Sequence, residues 1–442
     1  MERVTTVARA VPEAGDLLEL AVGEVVHGGW CVCRVDDTGW VVFVRHALPG
    51  ERVRALVTQV TARFARADAV EVLIPSPDRV TAPCRYAGPG GCGGCDWQHA
   101  SLPAQRDLKA AVIRQQLRRL ANLDREVTVE PLPGDEAGLA WRTTVSFAVD
   151  GAGTAGLRRH RSHEVIGISQ CLIAHPLVTA AGVTGRRWPG AAAVQVTAVP
   201  QTGERGVVIA GRGKAQRAGP ATPGALAADS VLVTGQAGGR TPVRGHPYLM
   251  QRAAGRDWRV SLTGFWQVHP GAADALAEAV LAALGPQPGE TALDLYCGAG
   301  LFAGVLAAAV GPGGAVAAIE EDPMAIRDAR HNLRNWPWAR AHRGDVARVL
   351  TERGLRDAAI AVLDPPRTGA ARPVVDVLCG RGPGGSRLRQ LAYVSCDPAT
   401  LARDLRLLLD GGWRLEALRA FDAFPMTHHV ECLATLTRAG IP

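Results

Sequence analysis

The chain has 442 residues, a formal net charge of +7 and ten cysteines. This length exceeds what one ordinary hydrophobic core supports, so we expect two or three domains. No apolar run reaches the roughly 18 residues of a membrane span, and the first residues lack a basic-then-apolar signal pattern. We therefore expect a cytoplasmic protein with no membrane partner, whose cysteines are reduced, catalytic or metal-bound rather than paired as disulfides.

Positive charge is concentrated in the middle of the chain. Residues 83–260 carry 22 Arg and Lys against 12 acids, whereas residues 1–77 carry eight against ten and residues 261–442 carry 18 against 19. A basic central segment is expected where a chain meets a polyanion. An Arg-rich solvated surface would give the same balance, so charge alone leaves both interpretations open.

The first predicted domain, residues 1–77, is a small β-barrel. Residues 15–76 alternate short apolar runs with Gly and Asp turns, a pattern typical of short barrel strands. Five such strands fit an OB-like module, which often binds nucleic acid. Cys31 and Cys33 stand at strand spacing, and we interpret them as packing residues rather than ligands.

A helix is predicted over residues 101–123. Ser101 is its candidate N-cap, and the apolar positions recur at Leu108, Val112, Ile113, Leu117 and Leu120. These positions form one face of a helix, as expected for a helix that packs on a core.

Beyond this helix the pattern changes twice. Short strands and Gly/Pro turns return from about residue 128, and the stretch 211–245 is predicted to be mostly mobile loop. We place a small mixed central domain at residues 78–260. Helical and strand patterns alternate in residues 261–442, which predicts an α/β domain with a doubly wound parallel sheet.

Three cysteines, Cys84, Cys92 and Cys95, lie together in a glycine-rich segment. Its Cys-Gly-Gly-Cys turn lets two thiolates converge while backbone amides turn toward the sulfurs, which suits an iron–sulfur cluster or a tetrahedral zinc ion. Cys171 is the best candidate for a fourth ligand, and His99 is an alternative that would favour zinc. Three incidental thiols in a loop are the remaining interpretation.

A cofactor site is predicted where the first strand of the C-terminal domain ends. This strand ends at Asp294 and opens into a turn containing Gly298 and Gly300, which permit close approach to a ligand. Glu320 closes the next strand, where a carboxylate can accept hydrogen bonds from both ribose hydroxyls, and Asp345 follows the strand after it. Because the pyrophosphate-binding glycine pattern is incomplete, we expect S-adenosylmethionine rather than NAD.

Cys396 ends an apolar run that predicts a buried strand, and such a position lies where open α/β sheets hold their ligands. A second strand delivers Asp364 to the cofactor edge. A thiolate that adds to C6 of uracil makes C5 reactive toward a methyl sulfonium, and a carboxylate must then remove the C5 proton. We assign these two roles to Cys396 and Glu431; a surface carboxylate is the alternative interpretation of Glu431.

The C-terminal motifs resemble those of the RNA uracil-5-methyltransferases. The matching segments are Phe265-Trp-Gln-Val-His, Asp294-Leu-Tyr-Cys-Gly-Ala-Gly, Asp364-Pro-Pro-Arg-Thr-Gly, Val394-Ser-Cys-Asp-Pro-Ala-Thr and His429-Val-Glu. The N-terminal barrel is similar to a TRAM module, so the resemblance covers essentially the whole chain. It implies a Rossmann-like methyltransferase domain that uses S-adenosylmethionine.

The resemblance also implies roles for individual residues. It gives Cys396 as nucleophile and Glu431 as base, and it surrounds the cofactor and the target base with Gln267, Tyr296, Glu320, Asp345 and Asp364. It implies a [4Fe–4S] cluster on Cys84, Cys92, Cys95 and Cys171. It further implies that the helix near residues 101–123 packs with the catalytic domain.

Three features depart from the family pattern. Leu301 stands where an Asn that contacts the cofactor is common, and His269 replaces another Asn. The gap between Cys84 and Cys92 is also longer than the pattern.

We expect an enzyme that forms 5-methyluridine in a structured RNA, with the target base flipped from its stack. The resemblance favours ribosomal RNA over transfer RNA, and we expect a monomer. The candidate phosphate contacts are Arg142, Arg158, Arg159 and Arg161, with solvated surface Arg as the alternative.

Two alternative functions stay open, a transfer RNA uracil-5-methyltransferase and a non-catalytic RNA-binding protein. A DNA cytosine-5-methyltransferase is disfavoured because its nucleophile usually follows a proline on an earlier loop.

Overall fold

The computed structural model describes residues 11–36, 38–134, 137–212, 226–235, 239–353, 357–381 and 386–438. The strands in these ranges form a closed barrel, a seven-stranded sheet, a two-stranded ladder and an eight-stranded sheet. No helix in the described ranges is long and apolar enough to cross a membrane.

The N-terminal barrel closes in the order β1-β2-β3-β5-β4. Its strands are β1 (Leu17–Val26), β2 (Trp30–Arg34), β3 (Val41–Arg45), β4 (Arg52–Val60) and β5 (Ala65–Ile74). Alternate residues of each strand fill the interior, as they do in small barrels. Cys31 and Cys33 belong to this core, at 1% and 2% exposure. The predicted barrel, and the interpretation of these cysteines as packing residues, are confirmed.

A helix, α1 (Leu102–Gln116), follows the barrel and continues into a π-helical turn over Leu117–Ala121. Ser101 caps it as predicted, because its side chain accepts a hydrogen bond from the backbone amide of Ala104. The short strand β6 (Val129–Pro131) comes next and pairs with the edge of the C-terminal sheet.

The buried face of α1 is more polar than its sequence predicts. Gln105 and Lys109 are fully buried, whereas Leu120 is 40% exposed. Lys109 forms an ion pair with the buried Asp422, and its Nζ also donates to the carbonyl of Phe424 at 3.0 Å. The prediction for Leu120 is wrong because the π-helical turn shifts the last residues out of phase with the apolar stripe.

The central sheet has the strand order β13-β12-β11-β10-β7-β8-β9. Its elements are β7 (Thr144–Val149), β8 (Ala155–Arg158), β9 (Val165–Gly167), α2 (Pro176–Ala180), β10 (Ala191–Ala198), β11 (Arg205–Gly211), β12 (Ser230–Thr234) and β13 (Arg240–Arg244). The stretch 211–245 therefore contains two strands, β12 and β13, where the sequence predicts mostly loop. Of that stretch, residues 213–225 and 236–238 lie outside the described residues.

The C-terminal part begins with an antiparallel ladder of β14 (Tyr248–Ala253) and β15 (Arg256–Ser261). The eight-stranded sheet then has the order β18-β17-β16-β19-β20-β22-β21-β6. Its other strands are β16 (Thr291–Leu295), β17 (Ala315–Glu320), β18 (Ala339–Arg343), β19 (Ile360–Leu363), β20 (Gln390–Ser395), β21 (Trp413–Asp422) and β22 (Glu431–Arg438). The helices between them are α3 (Ala272–Leu284), α4 (Leu301–Val310), α5 (Pro323–Asn332), α6 (Val346–Arg353), α7 (Arg372–Leu378) and α8 (Pro398–Asp410).

The strand pairing of this sheet decides where the predicted site residues lie. Strands β16 to β20 run parallel to one another, and the strand order reverses direction at β16. In such sheets ligands bind at the carboxyl ends of the strands beside the reversal point. Strand β22 is antiparallel to β20, so its first residues lie at this same edge. The predicted Rossmann-like α/β fold is confirmed.

Candidate active site

Cys396 and Glu431 lie side by side at the carboxyl edge of the parallel strands. Ser395, the last residue of β20, pairs with Cys432 of β22, so the next position on each chain brings Cys396 opposite Glu431. Directly opposite residues of an antiparallel pair project to the same face of the sheet. Glu431 is 3% exposed, and Cys396 is half-buried. A thiol and a carboxyl group from distant parts of the sequence thus share one recess.

Burial favours the protonated forms of the thiol and carboxyl groups in this recess. It raises the pKa of the Cys396 thiol to about 11, with the neighbouring Glu431 adding to the shift. Burial raises the pKa of Glu431 well above its usual range, and Asp364 acts in the same direction. It also raises the pKa of Asp364 to about 7. Two acids and a thiol packed together favour their neutral forms, because charging any of them in this recess is costly.

Arg367 opposes these shifts, and sequence reasoning did not assign it a role. Its guanidinium interacts with the Cys396 thiol and lowers the pKa of that group, and it also lowers the pKa of Glu431. The available signal was its place three residues after Asp364 in the Asp-Pro-Pro-Arg segment, which brings a cation to the same edge. Helix α8 fixes this loop, since the Thr400 hydroxyl donates to the Arg367 carbonyl at 3.0 Å.

The glycine turn after β16 leaves room for a ligand. Gly298 and Gly300 have φ values of +52° and +90°, which favour glycine. A Cβ atom added to Gly298 would meet no protein atom within 4 Å, whereas one added to Gly300 would lie 3.3 Å from the Cβ of Ala329 in α5. Gly298 therefore faces open space, and Gly300 allows close helix packing.

Asp294 lies inside β16, which runs one residue further than predicted. Its carboxyl group is fully buried, and Oδ2 accepts a hydrogen bond from the amide of Ala303 at 2.7 Å. Burial raises the pKa of Asp294 to about 8. The side chain thus connects the end of the strand to the first turn of α4.

Glu320 ties the glycine turn to the end of β17. Its carboxylate accepts hydrogen bonds from the amide of Gly298 at 3.0 Å and from the amides of Glu321 and Asp322, both at 2.8 Å. A carboxylate has about four acceptor positions, so these three bonds leave capacity for a further hydroxyl group. Glu320 is therefore both a structural link and an available acceptor.

Two of the other predicted cofactor residues, Asp345 and Tyr296, follow strands that end at the same edge. Asp345 is exposed after β18, where Oδ1 accepts a hydrogen bond from the amide of Arg348 at 2.9 Å. Tyr296 directly follows β16, and burial raises the pKa of its hydroxyl to about 12. Gln267 is half-buried in the connection between β15 and α3. The strand order thus brings together the predicted residues that follow β16 to β20, while Gln267 comes from a separate connection.

Two of the departures from the family pattern have structural explanations. Leu301 is the first residue of α4, and its side chain is buried in the core beside the sheet. His269 is buried, and its Nδ1 accepts a hydrogen bond from the amide of Gly271 at 3.1 Å. The His269 ring also stacks on Trp141 with a centroid separation of 5.9 Å. Both side chains therefore serve packing and local hydrogen bonding.

The predicted cluster cysteines are neighbours and are all free thiols. Cys92 interacts electrostatically with Cys84 and Cys171, and Cys95 interacts with Cys92 and Cys171. The Gly94 amide lies 3.4 Å from Cys92 Sγ, and the Gln98 side-chain amide lies 3.2 Å from Cys95 Sγ. Within the described part of the chain, no group of three or more His, Cys, Asp or Glu side chains is placed to hold a metal ion.

His99, the alternative fourth ligand, is directed toward the barrel. The centroid of its ring lies 6.1 Å from that of His46, which follows the barrel strand β3. With His99 directed toward the barrel, the four cysteine thiols are the soft donors of this region.

Comparison with known families gives two matches. Residues 354–439 match the tRNA (uracil-5-)-methyltransferase family, and residues 13–70 match the TRAM domain. An uncharacterized RNA methyltransferase of Streptomyces avermitilis is 50% identical over 437 residues, covering 96% of this chain and 99% of the relative. A Streptomyces coelicolor counterpart with the same description is 49% identical, covering 98% and 95%.

A solved structure has the same fold over nearly the whole chain. The Pyrococcus abyssi tRNA (uracil-54, C5)-methyltransferase, in complex with S-adenosyl-L-homocysteine, superposes with a TM-score of 0.69. The match covers 95% of this chain and all of that one, at 22% sequence identity. The likeness therefore supports the arrangement of barrel, central sheet and C-terminal sheet.

Replacing Arg367 with Met should make Cys396 less reactive. The guanidinium lowers the pKa of the thiol, so its loss should raise that pKa further, and each unit removes about nine-tenths of the thiolate. Alkylation by iodoacetamide at about pH 8, followed by mass spectrometry of the Cys396 peptide, should slow about tenfold, with Arg367→Lys intermediate. Arg372→Met, at a surface pair with Asp376, is the control. Equal rates in Arg367→Met and the unaltered protein would contradict this role.

Proposed function

We propose a reaction mechanism and a substrate class for this chain, which belongs to the RNA uracil-5-methyltransferase family and methylates RNA with S-adenosylmethionine. The proposed product is 5-methyluridine. The observation that carries the proposal is that Cys396, directly after β20, lies beside Glu431, the first residue of β22. Both residues lie at the sheet edge where the glycine turn follows β16.

The proposed reaction begins when the Cys396 thiolate adds to C6 of the target uracil. The new S–C6 bond shifts electrons toward C5 and the C4 carbonyl oxygen, and C5 becomes a nucleophile. S-adenosylmethionine supplies the electrophilic methyl group, which C5 takes as the methyl–sulfur bond breaks. Glu431 then removes the C5 proton, and the resulting enolate expels the thiolate. The products are 5-methyluridine, S-adenosylhomocysteine and the free Cys396 side chain.

Each neighbouring group has a proposed part in this sequence. Arg367 favours the thiolate, which the half-buried Cys396 thiol otherwise forms poorly because its pKa is raised. The raised pKa of Glu431 makes its ionised form a stronger base. Asp364 lies close to both reacting groups and is a proposed hydrogen-bond partner of the bound base or cofactor.

The proposed cofactor residues fit an adenosine-containing molecule. Gly298 borders open space, and the Glu320 carboxylate keeps an acceptor position for a ribose hydroxyl. The full proposed set is Gln267, Tyr296, Gly298, Gly300, Glu320, Asp345 and Asp364.

Exposed arginines near the barrel are the proposed RNA contacts. Arg158 and Arg161 are exposed, while Arg159 pairs with Glu164 at 2.9 Å. Burial and the nearby charge of Arg161 lower the pKa of Arg66, and a bound phosphate would relieve this repulsion. Arg142 is partly buried beside Cys171 and Cys95, where it would neighbour the cluster rather than the RNA.

We infer that ribosomal RNA is the substrate, because the combination of a TRAM barrel with four clustered cysteines resembles the ribosomal branch of the family. Transfer RNA is the second candidate, since the matched family and the Pyrococcus abyssi enzyme carry that substrate in their names. The two substrates predict different modified RNAs in cells.

Glu431→Gln should accumulate a covalent protein–RNA adduct that survives denaturation, because methyl transfer proceeds but the C5 proton stays in place. Cys396→Ala should form no adduct and should lose methylation by at least a thousandfold, the order expected for removing a covalent nucleophile. Gel electrophoresis with radiolabelled methyl donor measures both. Glu416→Gln, on the exposed face of β21, is the control. Normal methylation by Cys396→Ala would reject the mechanism.

Cells lacking this gene should lose 5-methyluridine from ribosomal RNA and keep it in transfer RNA. Nucleoside mass spectrometry of the two purified RNA pools measures this, with complementation by the unaltered gene and by Cys396→Ala. Restoration by the unaltered gene alone would tie the modification to the thiol. Loss confined to transfer RNA would instead select the second candidate.

We propose a [4Fe–4S] cluster on Cys84, Cys92, Cys95 and Cys171. The described side chains are not gathered into a metal site, but four free thiols, two of them with amide donors at the sulfur, have the donor chemistry of iron–sulfur ligation. When bound, the cluster would supply a structural link between the loop of the first three cysteines and Cys171 in the central domain. The proposed reaction transfers no electrons, so a structural role is sufficient.

Anaerobic purification should yield brown protein with about four iron atoms per chain. Cys92→Ser should lose the chromophore and most of the iron, whereas Cys379→Ser, a buried thiol at the end of α7, should keep both. Elemental analysis and visible absorption measure the outcome. Stoichiometric zinc in the unaltered protein would reject the iron–sulfur assignment.

A further inference from the structure

The segment that leads into Glu431 contains a strained residue. Residues 423–430 connect β21 to β22, and Met426 within them has a φ of +67°. A non-glycine residue with a long side chain rarely adopts this conformation, so surrounding contacts must hold it. Met426 is also almost fully buried. Contacts with other parts of the chain therefore determine the backbone conformation that leads to Glu431.

The loop after Cys95 provides some of the hydrogen bonds that hold Met426 in this conformation. The amides of Asp96 and Trp97 both donate to the Met426 carbonyl, at 2.9 and 3.1 Å. Helix α1 supplies the rest, because Gln105 Oε1 accepts a hydrogen bond from the Met426 amide at 2.7 Å. The same Gln105 side chain donates to the Trp97 carbonyl at 3.1 Å. Both backbone polar groups of Met426 are thus bound by residues more than 320 positions earlier in the chain.

A side-chain contact secures the segment a second time, two residues beyond Met426. Asp96 Oδ2 accepts a hydrogen bond from the amide of His428 at 3.1 Å and lies 2.7 Å from its Nδ1. Asp96 Oδ1 lies 3.3 Å from the guanidinium of Arg45 in the barrel strand β3. Asp96 and Arg45 are both buried. One aspartate thus joins the barrel, the cysteine loop and the segment that ends at Glu431.

The barrel also packs against this junction. A Cβ atom added to Gly29, in the turn between β1 and β2, would lie 3.1 Å from the Cβ of His428 and 3.2 Å from that of Asp96. His27 of the same turn lies 3.4 Å from Asp397, the residue after Cys396. The contacts that fix the Glu431 segment and those beside Cys396 therefore come from the same N-terminal elements.

We propose that Asp96 and Gln105 are positioning residues for Glu431: by holding Met426 and His428 they set the carboxylate over the C5 proton of the methylated adduct. This inference rests on the proposed role of Glu431 as base. These hydrogen bonds act on the segment that enters β22 and not on β20, the strand that leads into Cys396. Loss of the hydrogen bonds to Met426 and His428 therefore slows proton removal more than it slows thiol addition and methyl transfer.

Asp96→Asn and Gln105→Leu test this by separating the two steps. In a single turnover with radiolabelled methyl donor, adduct formation should stay within about twofold of the unaltered enzyme. Decay of the adduct to product should slow at least tenfold, so that methylated adduct accumulates. A general loss of stability would slow both steps together. Melting curves and iron content check that each variant is folded and loaded, and if one variant does not fold the other carries the test.

Two further variants make the result specific. Asp328→Asn changes another buried aspartate, in α5, which accepts a hydrogen bond from the amide of Ser261 at 2.7 Å. It should produce no accumulation of adduct. Adding Asp96→Asn to Glu431→Gln should not slow adduct decay further, because both changes act on the same step. Additive effects in that double variant would overturn the proposal.

The inference fails if adduct formation and decay fall in parallel in both positioning variants, or if neither rate changes. Failure of the underlying mechanism gives a different result, because Glu431→Gln itself would then accumulate no adduct. Adduct in Glu431→Gln with unchanged decay in Asp96→Asn and Gln105→Leu would leave the base assignment intact and reject the positioning role alone.

Discussion

The antiparallel pairing of β22 with β20 is the constraint on which the site depends. Parallel strands bring their carboxyl ends to one edge, and in a wholly parallel sheet the first residue of the last strand would lie at the opposite edge. Because β22 is reversed, its first residue, Glu431, stands beside Cys396, which follows the last residue of β20. The proposed chemistry needs a nucleophile and a base on one pyrimidine ring, and this pairing supplies them from segments 35 residues apart.

Burial makes the ionised forms of these groups more reactive, and it also makes their ionisation unfavourable. The half-buried Cys396 thiol, the half-buried Asp364 and the buried Glu431 resist ionisation, yet thiol addition requires a thiolate and proton removal requires a carboxylate. Arg367 reconciles these demands, because one exposed guanidinium lowers the pKa of both Cys396 and Glu431. Helix α8 holds the loop that carries it. The proposed mechanism thus uses low polarity to strengthen the base and a single cation to make the nucleophile available.

Glu320, Asp364 and Cys396 could be predicted from sequence because each lies at the end of a short apolar run or directly after it. The barrel and the Rossmann-like fold could be predicted from similar apolar runs, and both are confirmed. The two strands within 211–245 were missed because each has only five residues, in a stretch otherwise rich in Gly, Ala and Pro. Contacts between distant segments left no local signal. Lys109 and Gln105 have polar side chains that a helical pattern assigns to solvent, but their partners Asp422 and Met426 lie more than 300 residues away.

The central claim is a transient bond between Cys396 and C6 of a uridine. RNA carrying 5-fluorouridine tests it directly, because fluorine at C5 cannot leave as a proton and the methylated adduct therefore persists. After reaction with S-adenosylmethionine and digestion of protein and RNA, mass spectrometry should find the methylated fluorouridine on the peptide that contains Cys396. An adduct on another cysteine, or turnover of ordinary RNA with no adduct on the fluorinated RNA, would contradict the account.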